Sequence, residues 1–178
     1  IDERSSIVPV IMSIKTGSKV IAMVAPSIVG QFGLKVKADQ IYTALKMAGF
    51  ADVVEVAIGA DIVSVEEAEE YIEKVPAKQP FMTSSCCPAF VNIVKKYVPD
   101  AADKVSHTVS PMVATGRWLK EQYPDATTVF IGPCIAKKGE AKGYPEYIDY
   151  VLTFEEAMCL MEGKDIKVEN VEAAEFER

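Results

Sequence analysis

Two adjacent cysteines, Cys86 and Cys87, are the residues whose types and spacing point most directly to chemistry. They stand between a predicted buried strand over residues 80–83 and a predicted helix over residues 88–98. Pro88 suits the first position of that helix, because its missing N–H would have no partner there anyway. Cys87 is thereby placed at or next to the N-cap, where the helix dipole and unpaired N–H groups favour thiolate over thiol. Such a turn indicates a reactive or ligand-binding site.

A second cysteine turn, Gly132-Pro133-Cys134, follows a predicted strand over residues 127–131. Because α/β sheets carry their ligands at the carboxyl ends of the strands, both turns should point their thiols at one edge of the sheet. The separation of Cys87 and Cys134 is too long for a zinc finger, and no paired CxxC spacing is present. Spacing alone leaves two alternatives open, a metal or redox site and a set of buried structural thiols.

Composition and motifs exclude several other classes of function. There is no Walker loop, and the Gly30-Gln31-Phe32-Gly33 segment is too short and misplaced for a dinucleotide fingerprint. The net charge of −7 and the lack of a basic stripe argue against a nucleic-acid partner. No apolar run approaches the roughly 20 residues of a membrane span, and no signal peptide is recognisable, so we expect a cytoplasmic protein without a membrane partner. Four cysteines, two of them adjacent, do not make a disulfide framework.

The elements that must position these cysteines alternate between strands and helices. Hydrophobic residues form 49% of the 178 residues, enough for the core of one domain or of part of a larger one. Short apolar runs predict buried strands over residues 19–25, 52–57, 127–131 and 150–152. This order predicts an α/β fold with three layers, α/β/α, around a mainly parallel sheet.

Helices between the strands are predicted from apolar residues spaced three and four apart. One covers residues 41–48 and stops at Gly49, and another covers residues 65–75. Ser110 with Pro111 begins a further helix, and a capping box begins the last one at Thr153. The residues expected to face the core are Ala68, Tyr71, Ile72, Val75, Val91, Val94, Val98, Met112 and Trp118.

The sequence around both cysteine turns resembles a known family. Residues 83–90, TSSCCPAF, resemble the first signature of the large subunit of iron-only (FeFe) hydrogenases. Residues 132–140, GPCIAKKGE, resemble the second, with Cys134, Lys137 and Glu140 in register. KADQIYTALKMAGF, GAD and VEEAEE also look like this family's connecting segments, so the likeness runs from Val20 onward. It implies part of the two-lobed FeFe hydrogenase catalytic domain, which catalyses reversible oxidation of H2 to protons and electrons.

The resemblance implies a role for each matching residue of the two signatures. Cys87 and Cys134 would be metal ligands of the cubane 4Fe–4S cluster, which together with a di-iron subsite forms the H-cluster. Cys86 would stay a free thiol that passes protons to the di-iron subsite. Lys137 would hydrogen-bond a cyanide on the distal iron, because an anionic cyanide needs a charged donor, and Glu140 accompanies it in the signature.

The resemblance also implies residues outside the signatures. Pro26 and Ser27 would line the cofactor pocket, and Glu67, Glu70 and Ser106 would form a proton path to the surface, since such a path needs closely spaced titratable groups. The implied partners are H2, protons, and ferredoxin or another redox partner, in an anaerobic setting.

Several departures from the family accompany this likeness. The third signature, which supplies the other two cluster cysteines, and the ferredoxin-like modules are absent. Pro-Ala-Phe replaces Pro-Gly-Trp after Cys87, and Gly132 stands where the family usually has Met. We therefore expect a partial domain, with a lead-in over residues 1–17, an α/β region over 18–163 and a truncated continuation over 164–178. Alone, it should hold no stable H-cluster and have no activity.

Alternative interpretations stay open for the function and for single residues. The protein could be a hydrogen- or redox-sensing relative with low turnover, or an iron–sulphur protein that binds only a 4Fe–4S cluster. Cys159 is predicted to be core and His107 a surface or loop residue rather than a ligand. The acidic run of residues 66–73 would ordinarily be a solvated face, with Glu70 farther from the apolar stripe than Glu67. Lys137 and Lys138 could equally be solvated.

Overall fold

Four parallel strands form one sheet in the order β2-β1-β3-β4. The strands are Val20–Val24 (β1), Asp52–Glu55 (β2), Thr127–Gly132 (β3) and Tyr150–Thr153 (β4). β1 is buried along its whole length and β3 along nearly all of it, and this explains why both read as continuous apolar runs. The computed structural model describes residues 4–174. Residues 1–3, which begin the predicted lead-in, and residues 175–178, which end the predicted continuation, lie outside the described residues.

Helices cover the sheet on both faces. The α-helices are Ile7–Lys15 (α1), Ala38–Met47 (α2), Ala57–Lys74 (α3), Pro88–Tyr97 (α4), Pro111–Gln122 (α5), Ala136–Ala141 (α6) and Phe154–Glu162 (α7). α5 packs against β1 and β3 and against α3, while α7 packs against β3 and β4. The connection from β1 to β2 crosses the sheet in one direction and that from β2 to β3 in the other, so right-handed crossovers place α2 and α5 on opposite faces. The predicted α/β class with a mainly parallel sheet is confirmed.

Local signals in the sequence set several of these boundaries. Cys87 is the N-cap of α4, with Pro88 as its first residue, and Ser110 is the N-cap of α5. The capping box at the start of α7 is present, since the Thr153 hydroxyl accepts from the Glu156 N–H and the Glu156 carboxylate accepts from the Thr153 N–H. These helix starts were predicted correctly.

The strand predicted over residues 80–83 is wrong. Among the residues that the structure describes, only Thr83 of this run forms a bridge, with Val105, and no ladder continues from it. Phe81 is 48% exposed, so this short apolar run lies on the surface instead of entering the sheet. The strand predicted over residues 52–57 ends at Glu55, and the next helix begins at Ala57 rather than at residue 65.

The predicted inner face of α3 is also wrong. Tyr71 and Ile72 are exposed, and the buried residues are Gly59 and Val63. A Cβ on Gly59 would lie 2.3 Å from the Pro111 carbonyl oxygen, so α3 can approach α5 this closely only with glycine there. Continuing at helical spacing from Gly59 and Val63, the same face presents Glu67 and Glu70.

α7 turns Cys159 to solvent, so the prediction that this cysteine is core is wrong. The helix buries Ala157, Leu160 and Met161 instead, which are one to two positions away and leave Cys159 on the opposite side. Met112 is buried and Trp118 partly buried, as expected for the core side of α5. Across residues 4–174, no helix has the length and apolar character needed to cross a bilayer.

Candidate functional site at the carboxyl edge of the sheet

The loop that carries Cys86 and Cys87 is held at its base by backbone hydrogen bonds. The Thr83 N–H donates to the Lys104 carbonyl at 2.9 Å, and the Ser106 N–H donates to the Thr83 carbonyl at 2.8 Å. Both cysteines are free and exposed, with Cys87 in extended conformation just before α4. The turn therefore presents two neighbouring thiols on a loop whose backbone is hydrogen-bonded three to four residues earlier, at Thr83.

Glu67 of α3 holds the same turn from the side. Its carboxylate accepts hydrogen bonds from the Ser84 hydroxyl and the Ser85 N–H, both at 3.0 Å. The Ser84 hydroxyl in turn lies 3.4 Å from the Cys86 N–H. The Ser85 hydroxyl donates to the Thr108 carbonyl. Glu67 thus fixes the backbone that leads into the cysteines, which explains why a carboxylate occupies the inner face of the helix.

Glu70 lies one turn further along α3 in a cluster of hydrogen-bond donors. Its carboxylate accepts from Lys74 Nζ at 2.6 Å, from the Ser106 hydroxyl at 2.5 Å and from the His107 N–H at 3.1 Å. Burial raises the pKa of Glu70, but these donors outweigh it and hold the pKa well below its usual range. The Glu70 side chain is only 13% exposed, so the expectation that it lies on a solvated face, away from the apolar stripe of the helix, is wrong.

The low pKa of Glu70 gives a pH dependence of stability. A carboxyl whose folded-state pKa is depressed stabilises the fold above its unfolded-state pKa, and this contribution is lost as the pH falls. We expect Glu70→Gln to be less stable than the wild type at pH 7, with the difference shrinking as the pH drops below about 4.3, the ordinary pKa of glutamate. Urea unfolding of both proteins from pH 7 to pH 3 measures this; a difference that is constant with pH would contradict it.

The second cysteine turn lies beside the end of β1. The Ala25 N–H donates to the Ile131 carbonyl at 2.9 Å, so the chain leaving β1 and the chain leaving β3 are neighbours. Pro26 and Ser27 form an exposed 3₁₀ turn directly after β1. Cys134 is free and partly exposed, two residues beyond β3. The chain segments that follow β1 and β3 therefore lie side by side at the carboxyl edge of the sheet.

Lys137 joins the two cysteine turns. Its Nζ lies 3.2 Å from the Cys86 carbonyl oxygen and 2.7 Å from Glu140 Oε2. The Lys137 and Glu140 side chains are 10% and 14% exposed, so this pair is largely withdrawn from solvent. The neighbouring Lys138 is also buried and pairs with Glu156 at 2.7 Å. The alternative that these two lysines are solvated is wrong.

Not every predicted site residue contacts the cysteines. Ser106 bonds to Glu70, and its hydrogen bonds among residues 4–174 do not extend to Cys86 or to Glu67. His107 is an exposed loop residue, as predicted, but its ring also contacts Glu70, a contact that the sequence does not indicate. Only the folded loop brings this histidine to α3, so no local signal could have revealed the contact.

Gly132 fits against a neighbouring ring. A Cβ at this position would lie 2.5 Å from the Phe130 ring and 3.3 Å from the Ala25 Cβ. Phe130 is buried, so its ring has little room to move. A side chain such as the Met of the resembled signature is therefore incompatible with this placement of Phe130.

We expect Gly132→Ala to lower the free energy of unfolding by about 1–3 kcal/mol through overpacking against Phe130. Gly139→Ala in α6 is the matched control, because a Cβ there meets no atom within 4 Å. The control should be neutral or stabilising by up to about 1 kcal/mol. Urea unfolding measures both, and equal stability of Gly132→Ala and the wild type would show that the Phe130 ring yields freely.

Comparison with known proteins identifies the family. Residues 18–178 match the family described as iron-only hydrogenase large subunit, C-terminal domain. Iron hydrogenase 1 of Clostridium pasteurianum is 33% identical over 172 residues, which cover 84% of this chain and 29% of the relative. The NADP-reducing hydrogenase subunit HndD of Solidesulfovibrio fructosivorans is 28% identical, with 75% of this chain and 26% of the relative covered. The periplasmic Fe hydrogenase large subunit of Nitratidesulfovibrio vulgaris is 31% identical, with 68% and 33% covered.

Solved structures give the same fold. A variant of the apo FeFe-hydrogenase HydA1 from Chlamydomonas reinhardtii superposes with a TM-score of 0.84 at 22% identity, covering 98% of this chain and 52% of the other. A structure of an FeFe-hydrogenase described for oxygen inactivation through its H cluster gives 0.85 at 22% identity, with 98% and 51% covered. The chain thus spans about a third or less of the curated relatives and about half of the solved chains. It belongs to the C-terminal domain family of the iron-only hydrogenase large subunit.

Proposed function

We propose that this chain is part of the catalytic domain of an FeFe hydrogenase and contributes ligands and proton-transfer groups to the reversible oxidation of H2. The observation that carries the proposal is the 3.2 Å contact between Lys137 Nζ and the Cys86 carbonyl, because it joins the two cysteine turns at one edge. A largely buried lysine that joins the two turns carrying Cys86, Cys87 and Cys134 suits an anionic iron–sulphur group better than a structural core.

The side chains present fit part of the H-cluster that the family implies. Cysteine thiolates are the donors that iron–sulphur clusters require, and Cys87 and Cys134 are both accessible at the carboxyl edge. Within residues 4–174, however, no group of three or more metal-ligating side chains comes together. The donor chemistry therefore fits, while the chain supplies two of the four ligands that a cubane needs.

Each residue at the edge has a role under this proposal. Cys87 and Cys134 hold the 4Fe–4S cluster, and the bound H-cluster supplies the redox chemistry and the cleavage of H2. Cys86, which is not a ligand, carries a proton on its thiol. Lys137 donates its charged N–H groups toward the cofactor while Glu140 holds it in place. Pro26 and Ser27 line the pocket from the end of β1.

Protons reach Cys86 through the acidic face of α3. Glu67 accepts hydrogen bonds from the two serines that precede Cys86, and Glu70 bonds to Ser106. The Thr108 N–H donates to the Ser106 hydroxyl, and the Thr108 carbonyl accepts from Ser85. These bonds bring both carboxylates into one polar cluster that begins beside the cysteine turn and ends near the surface.

The full-length protein tests this function. We expect it, after anaerobic maturation with the H-cluster, to reduce a viologen dye with H2 and to evolve H2 from reduced dye. Iron counting and paramagnetic resonance should show a 4Fe–4S cluster in the same sample. A full iron complement without H2 turnover in either direction would refute catalysis.

Gly132 favours a second candidate, a hydrogen- or redox-sensing relative with low turnover. Glycine here replaces the family's usual Met next to Cys134, and the Phe130 ring occupies the space beside it. Such a protein would keep the cluster but turn over slowly. The rate of H2 turnover with viologen dye therefore distinguishes a sensing relative from a catalytic hydrogenase. A protein that binds only a 4Fe–4S cluster is the third candidate; the buried Lys137 and the free Cys86 speak against it.

The isolated chain of 178 residues is expected not to retain a stable cluster. Two thiolates give little chelate advantage, so added thiols or water would complete a cubane only weakly. Reconstitution with iron and sulphide, followed by desalting and iron counting, should leave well under one cluster per chain. A stoichiometric 4Fe–4S signal would mean that Cys86 or the exposed Cys159 acts as a ligand.

We also propose ferredoxin or another redox carrier as the electron partner and the anaerobic cytoplasm as the compartment. Four cysteines without a disulfide suit a reducing environment. One relative is named NADP-reducing and another periplasmic, so cell fractionation and electron transfer with purified ferredoxin are the measurements that check these assignments.

A further inference from the structure

His107 lies over Glu70 at the surface end of the polar cluster. Its ring Nδ1 is 2.8 Å from Glu70 Oε1, and its backbone N–H donates to both carboxylate oxygens at 3.1 Å. The His107 side chain is 74% exposed, whereas Glu70 is 13% exposed. The imidazole is therefore in contact with solvent and with the carboxylate at the same time.

Glu70 is poorly suited to collect protons from solvent by itself. Its donors keep its pKa well below the usual range, so it stays ionised near neutral pH. Lys74 from α3 and the His107 ring from the facing loop contact its carboxylate, and the Ser106 and Thr108 hydroxyls donate to it. The Glu73 carboxylate, one turn further along α3, is close enough to interact with it electrostatically. A group that both binds and releases protons near neutral pH must therefore stand next to it.

Two side chains touch Glu70 from the solvent side. Lys74 Nζ lies 2.6 Å from Glu70 Oε1 and 2.7 Å from His107 Nδ1, but its side chain is only 22% exposed. An ammonium group ordinarily keeps its proton near neutral pH, whereas imidazole gains and loses one between pH 5 and 8. Exposure and chemistry both favour the histidine.

We propose that His107 is the residue that exchanges protons between solvent and the Glu70–Ser106 hydrogen bond, a role that rests on the hydrogenase function proposed above. In the inward direction the Nδ1–H bond of the imidazolium breaks and an O–H bond forms on Glu70 Oε1. The neutral imidazole then takes a proton from hydronium or a protonated buffer molecule in the solvent, which is left as water or as the free buffer base. In H2 oxidation the same two transfers run in reverse.

A cavity beside His107 gives the ring access to water. It has a volume of about 690 Å³ and lies between α4, α6 and the loop around residues 105–110. Ser106, His107, Ser110 and Glu140 are among the residues that line it. The Ser110 hydroxyl is buried beside this cavity and has no hydrogen-bond partner among residues 4–174.

The first experiment measures turnover of the full-length holoenzyme carrying His107→Gln. We expect the rate of H2 production to fall by at least about tenfold, since an acid–base group is lost. Added imidazole should restore much of the lost rate. Lys15→Gln, at the opposite edge of the sheet, is the control and should neither slow turnover nor respond to imidazole. Lys74→Gln should show no imidazole rescue. Unchanged turnover of His107→Gln, or a loss that imidazole does not restore, overturns the proposal.

The second experiment does not depend on the cluster. Carbon NMR of the Glu70 carboxyl in the 178-residue chain should show its pKa rising toward the ordinary value in His107→Leu, since leucine has no donor to replace the imidazole. An unchanged titration of Glu70 shows that the contact is absent, and it overturns the His107 role while leaving the hydrogenase function standing. A wild-type holoenzyme without H2 turnover overturns the hydrogenase function, and the role of His107 falls with it.

Discussion

Cys86→Ser in the full-length protein is expected to slow H2 turnover by about two to four orders of magnitude while leaving the iron content unchanged. The Cys86 thiol is exposed, and the proposed ligand Cys87 follows it directly. The two residues before it, Ser84 and Ser85, both donate hydrogen bonds to the Glu67 carboxylate. Serine keeps the shape of the turn but holds its proton far more tightly than a thiol does. The change therefore removes a proton carrier and not a metal ligand.

The matched control for this prediction is Cys87→Ser. It should lose the 4Fe–4S signal and most of the iron, because a thiolate ligand is replaced by a weaker donor. Metal analysis and paramagnetic resonance on both variants, together with H2 uptake, distinguish the two roles. Loss of iron from Cys86→Ser with retention in Cys87→Ser would show that the assignments of the two cysteines are reversed.

Lys137→Met is expected to destabilise the 178-residue chain by about 3 kcal/mol or more, because it leaves the Glu140 carboxylate withdrawn from solvent without its cation. The ion pair is 2.7 Å long and its two side chains are 10% and 14% exposed. Methionine keeps much of the volume of the lysine stem, so the lost charge dominates the effect. Urea unfolding measures the change without any need for the cofactor.

A double-mutant cycle sharpens this result. Glu140→Gln alone should also destabilise, and the Lys137→Met and Glu140→Gln pair should cost less than the sum of the two changes by at least about 1 kcal/mol. Lys78→Met is the control, because its pair with Glu73 is 60% and 68% exposed and should contribute less than about 1 kcal/mol. Strict additivity of the Lys137 and Glu140 changes would mean that the two side chains do not interact in solution.

The central strands could be predicted from sequence because their burial on both faces is recorded directly in their composition. β1 and most of β3 consist of apolar residues in a continuous run. The pairs Cys87-Pro88 and Ser110-Pro111 mark the starts of α4 and α5, because proline is favoured at the first helical position. These signals depend only on residues that are neighbours in the chain, so they can be recognised from the sequence alone. The run over residues 80–83 shows where this kind of prediction fails. Its apolar residues have no neighbouring strand to pair with, and Phe81 is exposed to solvent.

The polar half of the site could not be predicted in this way. Glu67 and Glu70 face inward because their partners come from loops 17 to 37 residues away, and no apolar periodicity marks such a face. Lys137 is buried for the same reason, since its second acceptor is a carbonyl 51 residues earlier in the chain. A pattern of apolar residues predicts which groups avoid water, but it cannot predict which charged groups find partners.

The pairing of β1 with β3 has a consequence for the order of assembly on the ribosome. Val20 pairs with Thr127, so the two central strands are separated by more than a hundred residues of chain. Cys86 and Cys87 are synthesised well before β3, and until β3 emerges only the β1–β2 pair is available to the nascent sheet. Val105, which forms the bridge to Thr83, is synthesised 18 residues after Cys87, and Cys134 and the Lys137 contact come only after β3. The first two thiols therefore leave the exit tunnel on a loop that can contact Glu67 but not yet Val105 or Lys137. The edge that brings them together with the third thiol exists only once translation has passed residue 137.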